Sequence, residues 1–136
     1  MFGNVYFARY FEWQGMAREE FFKHMIQDKN YLMQNDLKLI TVTAHVDYKN
    51  ECFLYDDIDI AISVSEVTLT TAKIEFVYKN VMNDKVVAMG YQKIGFADKS
   101  GNIVHIPVDI VLGAKDYVKD SEINDFNKIL SKLRNI

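Results

Sequence analysis

Three polar side chains near the N-terminus carry the chemistry that this sequence offers first. Tyr10, Gln14 and Arg18 follow one another at four-residue spacing, which places them along a single edge of an α-helix. A phenol, an amide and a guanidinium all donate hydrogen bonds, and the guanidinium carries a permanent positive charge. Groups of this kind suit the polarisation of a carbonyl group or the positioning of a water molecule.

The element that must position these residues is an amphipathic helix. Its apolar stripe consists of Phe7, Phe11, Phe21, Phe22 and Met25, the pattern of a helix that docks on a sheet. The opposite side groups Arg9, Glu12, Met16, Glu20 and Lys23. Gln14 and Arg18 fall within the apolar stripe, where ordinary patterning does not place polar residues. Because such departures are expected at functional sites, both residues are candidates for function.

The helix is predicted to start near Tyr6 or Phe7, with Asn4 as its cap, and to end within residues 26–28. Gly15 lies in its middle. Glycine there costs roughly 1 kcal/mol relative to alanine, so we expect another backbone to approach the helix closely at this point.

The period of the hydrophobic pattern then changes from helical to two. Alternating residues predict three strands. Their apolar members are Ile40, Val42, Ala44 and Val46; then Ile58, Ile60, Ile62 and Val64; then Ile74, Phe76 and Tyr78. A turn at Asn83-Asp84 leads into a further strand over residues 86–97, and a turn at 100–102 leads into residues 103–106.

The C-terminal part is predicted to be helical over residues 121–133, with Asp120 or Ser121 as cap. Its apolar stripe is Ile123, Phe126, Ile129, Leu130 and Leu133. Residues 108–118 are ambiguous. One helix, consecutive antiparallel strands and a terminal helix make an α+β pattern in a single domain, residues 1–136.

Composition excludes several classes of protein. The chain is 49% hydrophobic and 26% charged, which is typical of a folded globular domain. A formal net charge of −3 gives no basic footprint for nucleic acid. The single Cys52, together with the lack of a signal peptide or a membrane-length apolar run, predicts a cytoplasmic protein with no membrane partner.

The N-terminal residues resemble a known family. The matching residues are Gly3-Asn4-Val5-Tyr6-Phe7, Tyr10, Trp13-Gln14-Gly15 and Arg18-Glu19. This motif is similar to that of the hotdog-fold thioesterases of the 4-hydroxybenzoyl-CoA thioesterase type. It looks most like the subgroup that releases polyketide chains from acyl carrier domains of enediyne synthases. The resemblance implies a hotdog fold, an antiparallel sheet wrapped around a long central helix, and homodimers joined edge to edge or homotetramers.

The resemblance also implies a site and a substrate. Acyl thioesters of coenzyme A or an acyl carrier protein would be hydrolysed to the free acid without a metal or other cofactor. The implied oxyanion donor is the backbone N–H of Phe7, at the start of the helix. Tyr10 and Arg18 match the family's catalytic tyrosine and arginine, and Asn4 would shape the helix entrance. Residues expected to contact substrate are Tyr6, Phe11, Gln14, Met16 and Glu19.

The family usually places an Asp, or in the enediyne-type subgroup an Asn, three residues before the motif's glycine. In this sequence that position precedes Met1. We therefore expect an upstream strand that ends in Asn or Asp.

Plainer interpretations remain open for several of these residues. Arg18 could pair with a carboxylate such as Glu19 of a partner chain, and Gln14 could satisfy backbone groups at a sheet edge or dimer seam. Tyr6 and Trp13 are more often core or interface aromatics. The remaining polar candidates, read as structural or solvated, are His24, His45, His105, Cys52, Asp56, Asp57 and Asp59.

Two other classes of function also remain open. One is a hotdog dehydratase or hydratase, for which the helix offers only His24, near its end. The other is a non-catalytic protein that binds acyl thioesters.

Overall fold

The computed structural model describes residues 8–26, 30–53 and 55–135. Helix α1 (Ala8–Met25) and the short α2 (Tyr31–Gln34) precede an antiparallel sheet. The strands are β1 (Lys38–Tyr48), β2 (Ile58–Ser65), β3 (Thr71–Asn80), β4 (Val86–Ala97) and β5 (Ile103–Val104). The strand order is β1-β4-β3-β2, and β5 pairs with the end of β4. An antiparallel sheet with a long helix packed on it is the predicted hotdog architecture.

The alternation predicted for β2 and β3 is confirmed. Ile74, Phe76 and Tyr78 of β3 are almost completely buried, and Val64 of β2 joins them in the core. The other predicted residues of β2, Ile58, Ile60 and Ile62, pack against this core from the same face. The β3–β4 pairing that the Asn83-Asp84 turn indicated is also present.

The alternation predicted for β1 is wrong in its first half because the strand contains a β-bulge. The register with β4 shifts between Thr41 and Thr43, and the intervening Val42 is 55% exposed. An extra residue at a bulge inverts the faces of everything beyond it. Leu39 therefore packs on the core before the bulge, and Val46 packs on it after the bulge.

Helix α1 lays one face on the inner side of this sheet. Tyr10, Gln14 and Phe21 are its buried residues. Phe11 is 39% exposed, so its assignment to the apolar stripe is wrong: it lies one residue, or 100° of helix, beyond the buried Tyr10. The residues of α1 that pack on the rim of the core are Trp13, Ala17, Phe22 and Met25.

The close backbone approach predicted at Gly15 is absent from the described part of the chain. A Cβ built on Gly15 would meet no atom within 4 Å. The tight glycines lie elsewhere: a Cβ on Gly113 would come 2.9 Å from the carbonyl oxygen of Met25, at the end of α1.

The C-terminal segment closes the core beside the end of α1. The ambiguous stretch forms α3 (Val108–Gly113) and a 3₁₀ turn (Lys115–Tyr117), and α4 (Ile123–Arg134) follows. Phe126, Leu130 and Leu133 are buried as predicted, whereas Ile123 at the first turn is exposed. The proposed caps are wrong, because Asp120 and Ser121 belong to a separate 3₁₀ turn that precedes α4. None of the helices in the described ranges is long and apolar enough to span a membrane.

Candidate active site

A chain of buried amide groups joins α1 to two strands. Gln92, on the inner face of β4, donates through Nε2 to Oε1 of Gln14 at 3.2 Å, and Gln14 Nε2 donates to the carbonyl oxygen of His45 at 2.9 Å. At the other end, Arg18 Nη1 donates to Oε1 of Gln92 at 2.9 Å. Gln14 is fully buried and Gln92 is 5% exposed. The two polar residues on the apolar face of the helix are therefore parts of one network.

The two ends of this network fix its direction. A guanidinium has only donors, so the Gln92 oxygen must face Arg18, and its NH₂ group must then face Gln14. A backbone carbonyl has only acceptor sites, so the NH₂ group of Gln14 must face His45. Rotating either amide by half a turn would break two hydrogen bonds, and the network therefore has one arrangement.

Arg18 is half-buried and meets only neutral acceptors. Its Nη1 also donates to the hydroxyl of Thr41 on β1 at 2.7 Å. Among the described residues no carboxylate forms an ion pair with it, and Glu19 is exposed beside it. The positive charge of Arg18 is thus oriented, and no carboxylate in the described ranges neutralises it.

Gly90 makes room for the network. A Cβ on this residue of β4 would lie 2.4 Å from Nε2 of Gln14 and 2.4 Å from the carbonyl oxygen of His45. Both are nearer than real Cβ contacts allow, and the carbonyl belongs to the backbone and cannot swing aside. The Gln14 amide reaches β1 because this position has no side chain.

Tyr10 lies in different surroundings, two helical turns from Arg18. Its ring makes edge-to-face contacts with Tyr48 and Tyr78 at centroid distances of 4.8 and 5.7 Å, and the hydroxyl of Tyr78 donates to its backbone oxygen at 2.9 Å. Burial, and then the proximity of Cys52, raise the pKa of Tyr10 to about 12. Burial likewise raises the pKa of Cys52. The phenol therefore stays protonated at neutral pH.

The structure separates the remaining predicted site residues. Phe11 and Glu19 are exposed. Met16 is exposed and lines a groove of about 420 Å³ between α1 and β2, on the side of the sheet away from β1. The acidic rim of this groove includes Glu20, Asp56, Asp57 and Asp59. Asn4, Tyr6 and Phe7 lie outside the described residues.

The histidines do not join the network through their side chains. The ring of His45 stacks on Tyr91, and its Nε2 lies 3.0 Å from a carboxylate oxygen of Asp47. His24 and His105 are exposed. Within the described ranges, no three His, Cys, Asp or Glu residues come together as a possible metal site.

Sequence reasoning missed Thr41, Gly90 and Gln92. A signal for the last two was present, because β4 has an inner-facing series in which apolar residues flank a glycine and an amide. That series is Ala88, Gly90, Gln92, Ile94 and Phe96. A series of inner-facing strand positions is ordinarily apolar throughout. The Gly and Gln in this series depart from that pattern as much as Gln14 and Arg18 depart from the apolar stripe of the helix.

Comparison with known proteins identifies the family. The model of the thioesterase-like superfamily matches residues 1–121. The chain belongs to that superfamily. Among curated proteins, no sequence matches it significantly.

Solved structures share this fold. The dynemicin thioesterase, studied for polyene binding, is 25% identical with a TM-score of 0.79, and the alignment covers 86% of each chain. A 1,4-dihydroxy-2-naphthoyl-CoA thioesterase from Synechocystis is 13% identical with a TM-score of 0.76 over 84% of this chain and 85% of that one. A Staphylococcus aureus protein solved in complex with CoA is 10% identical, with a TM-score of 0.76 over 86% and 74%. Membership in the superfamily supports thioester hydrolysis as the general class of activity.

Proposed function

We propose that this protein hydrolyses an acyl thioester of an acyl carrier protein or of coenzyme A, with Arg18 as the residue that contacts the thioester carbonyl. The observation that carries the proposal is the state of Arg18. Its guanidinium is held by Gln92 and Thr41 but retains its charge, in a chain of the thioesterase-like superfamily. A fixed, unneutralised donor is what a developing oxyanion requires.

In the proposed reaction, the oxygen of a water molecule bonds to the carbonyl carbon and the carbonyl oxygen becomes negative. Arg18 of one protomer and the backbone N–H of Phe7 of its partner stabilise that oxygen, because ten residues of helix, or about 15 Å of axis, separate Arg18 from the start of its own helix. The C–S bond then breaks, the sulfur leaves and takes a proton, and the products are a carboxylic acid and a thiol. Asn4 shapes the entrance at the start of the helix.

Tyr10 receives a positioning role in this proposal. Eight residues of helix separate it from Arg18, which is about 12 Å along the axis. The Tyr10 ring packs on Tyr48 and Tyr78, away from the residues that hold Arg18. The protonated phenol instead holds the packing between the start of α1 and the sheet.

Charge favours an approach of the phosphopantetheine arm along β1. The groove beside β2 carries four carboxylates, which repel the phosphates of CoA or of a carrier-protein arm. Near β1 lie Arg18 on the helix side of the sheet and Lys38 and Lys93 on the opposite face, and no described carboxylate pairs with these three. The similarity to the dynemicin thioesterase favours a polyketide or polyene as the acyl group.

We expect homodimers or homotetramers to form through the same region, the edge strand β1. β1 is an edge strand of eleven residues with one neighbour, β4, among the described strands. An exposed strand edge of this length is a template for pairing with a second chain. Pairing there would bring a partner's residues close to Arg18. The cytoplasmic location stays a prediction.

The test measures thiol release from decanoyl-CoA and from a decanoyl carrier protein. We expect turnover with at least one of them, and a faster rate on the carrier protein would select that substrate class. Hydroxyacyl and enoyl thioesters serve as controls, since hydration or dehydration without thiol release would instead identify a hydratase. Binding of decanoyl carrier protein without hydrolysis would overturn the enzymatic proposal in favour of an acyl-binding protein.

A further inference from the structure

Gln92, which orients Arg18, is itself fixed by a second hydrogen bond. Gln92 sits on the inner face of β4 with both ends of its amide engaged, to Arg18 at 2.9 Å and to Gln14 at 3.2 Å. An inner-facing position beside Ile94 would ordinarily carry an apolar side chain. A buried amide is stable there only while both of its ends are bonded.

We infer that Gln92 is a positioning residue, whose neutral amide fixes the Arg18 guanidinium while leaving its charge for the substrate. This inference rests on the proposed function. A carboxylate in the same place would hold Arg18 more strongly but would neutralise it. An apolar residue would leave its charge but not its orientation. Of the three kinds of side chain, an amide alone combines the two properties.

The neighbouring residues allow the Gln92 amide only one orientation. Gln92 cannot turn its NH₂ group towards Arg18, because Gln14 accepts from that group and is itself fixed by the backbone carbonyl of His45. Gly90 leaves the space through which Gln14 reaches that carbonyl. Through Gln92 and Gln14, the backbone carbonyl of His45 on β1 therefore determines the orientation of Arg18.

Both hydrogen bonds of Arg18 to described residues use Nη1. Three N–H bonds on Nε and Nη2 form the other edge of the guanidinium. Because Nη1 is held between β1 and β4, the edge formed by Nε and Nη2 has a fixed orientation. Such an edge suits a planar ligand with two oxygens, or an oxyanion.

The decisive experiment is a double-mutant cycle on decanoyl-CoA hydrolysis. We expect Gln92→Met to lower kcat by about 10-fold to 100-fold, the effect of one hydrogen bond to a charged group, with KM changed less than about threefold. In the Arg18→Ala background the same substitution should have almost no effect, because Gln92 acts through Arg18. Full additivity of the two losses would overturn the inference.

A second variant tests the role of charge. Gln92→Glu has nearly the same size and keeps an oxygen for Arg18, yet we expect it to lose at least as much activity as Gln92→Met. Wild-type turnover in Gln92→Glu would contradict the need for a neutral acceptor. Ile94→Val is the matched control, since it loosens the same face of β4 without touching the network.

A measurement without turnover covers the case in which Arg18→Ala is too slow for the cycle. The rotation rate of the Arg18 guanidinium, measured by nitrogen-15 NMR, should rise in Gln92→Met and stay unchanged in Ile94→Val. An unchanged rate in Gln92→Met would refute positioning. Absence of hydrolysis by the wild-type protein would overturn the proposed function instead, so the two failures are distinguishable.

Discussion

Helix α1 meets the sheet through two polar contacts that end in opposite electrostatic states. At its first turns the contact is aromatic, and the buried Tyr78 hydroxyl is bonded to the backbone oxygen of Tyr10. One turn later, at Gln14, the contact is an amide chain that leads to Arg18. The aromatic contact keeps every group neutral, whereas the amide contact leaves a charge at its end.

This difference indicates how burial distinguishes side chains that only pack from a side chain that can act on a substrate. Desolvation raises the pKa values of Tyr10 and Tyr78, so their protons are held and their bonds act as packing. A guanidinium cannot lose its proton at accessible pH, so the protein must orient it with neutral acceptors. Substitutions in the aromatic contact are therefore expected to change stability. Substitutions in the amide contact are expected to change turnover.

The largest expected effect is on catalysis at the amide end. Arg18→Ala should reduce kcat/KM for decanoyl-CoA by about 100-fold or more with the fold retained, since it removes an oxyanion donor. Tyr10→Phe should lose less than about tenfold, because the phenol packs away from Arg18. Circular dichroism confirms folding of both. Equal losses in the two variants would break the distinction between the contacts.

The next effect is on stability at the aromatic end. Tyr78→Phe removes the hydrogen bond to the Tyr10 backbone oxygen and the contact of the hydroxyl with the Gln14 amide, and should lower the free energy of unfolding by about 1 to 2 kcal/mol, with a far smaller loss of turnover than in Arg18→Ala. Urea denaturation measures it. Tyr91→Phe, on a half-exposed tyrosine of β4, is the control and should change stability by less than about 0.5 kcal/mol.

Alkaline pH should sharpen the same contrast. The pKa of Tyr10 is about 12 in the folded protein and about 10 in the unfolded chain, so above pH 10 the folded state binds more protons. Stability is thus full below pH 10 and falls as pH rises towards 12. Denaturation midpoints between pH 9 and 12 should fall less steeply in Tyr10→Phe. Parallel slopes in the two proteins would show that Tyr10 is not desolvated.

The smallest effect tests the open side of α1. Gly15→Ala should raise the free energy of unfolding by about 0.5 to 1 kcal/mol, because the helix gains propensity and nothing described lies within 4 Å. Gly113→Ala is the contrasting variant and should be destabilising, since its Cβ would press on the Met25 carbonyl. A loss of stability in Gly15→Ala, growing with protein concentration, would reveal a second chain against this side of the helix.

Local patterns determined much of this protein. The period-two alternation of β2 and β3 specified which of their faces is buried, and the misplaced polarity of Gln14 and Arg18 marked the helix edge that carries the candidate site. These features depend on neighbours within a few residues, which sequence spacing records directly. The family motif from Gly3 to Glu19 added the fold.

The tertiary structure decided what those polar residues do. Gln14 and Gln92 are 78 residues apart, and no spacing rule relates them. The bulge at Val42 inverts the faces of β1 by a single residue, which local alternation cannot anticipate. The orientation of Arg18 depends on where three elements meet and on which buried donors and acceptors remain to be satisfied there, and that balance exists only once the chain has folded.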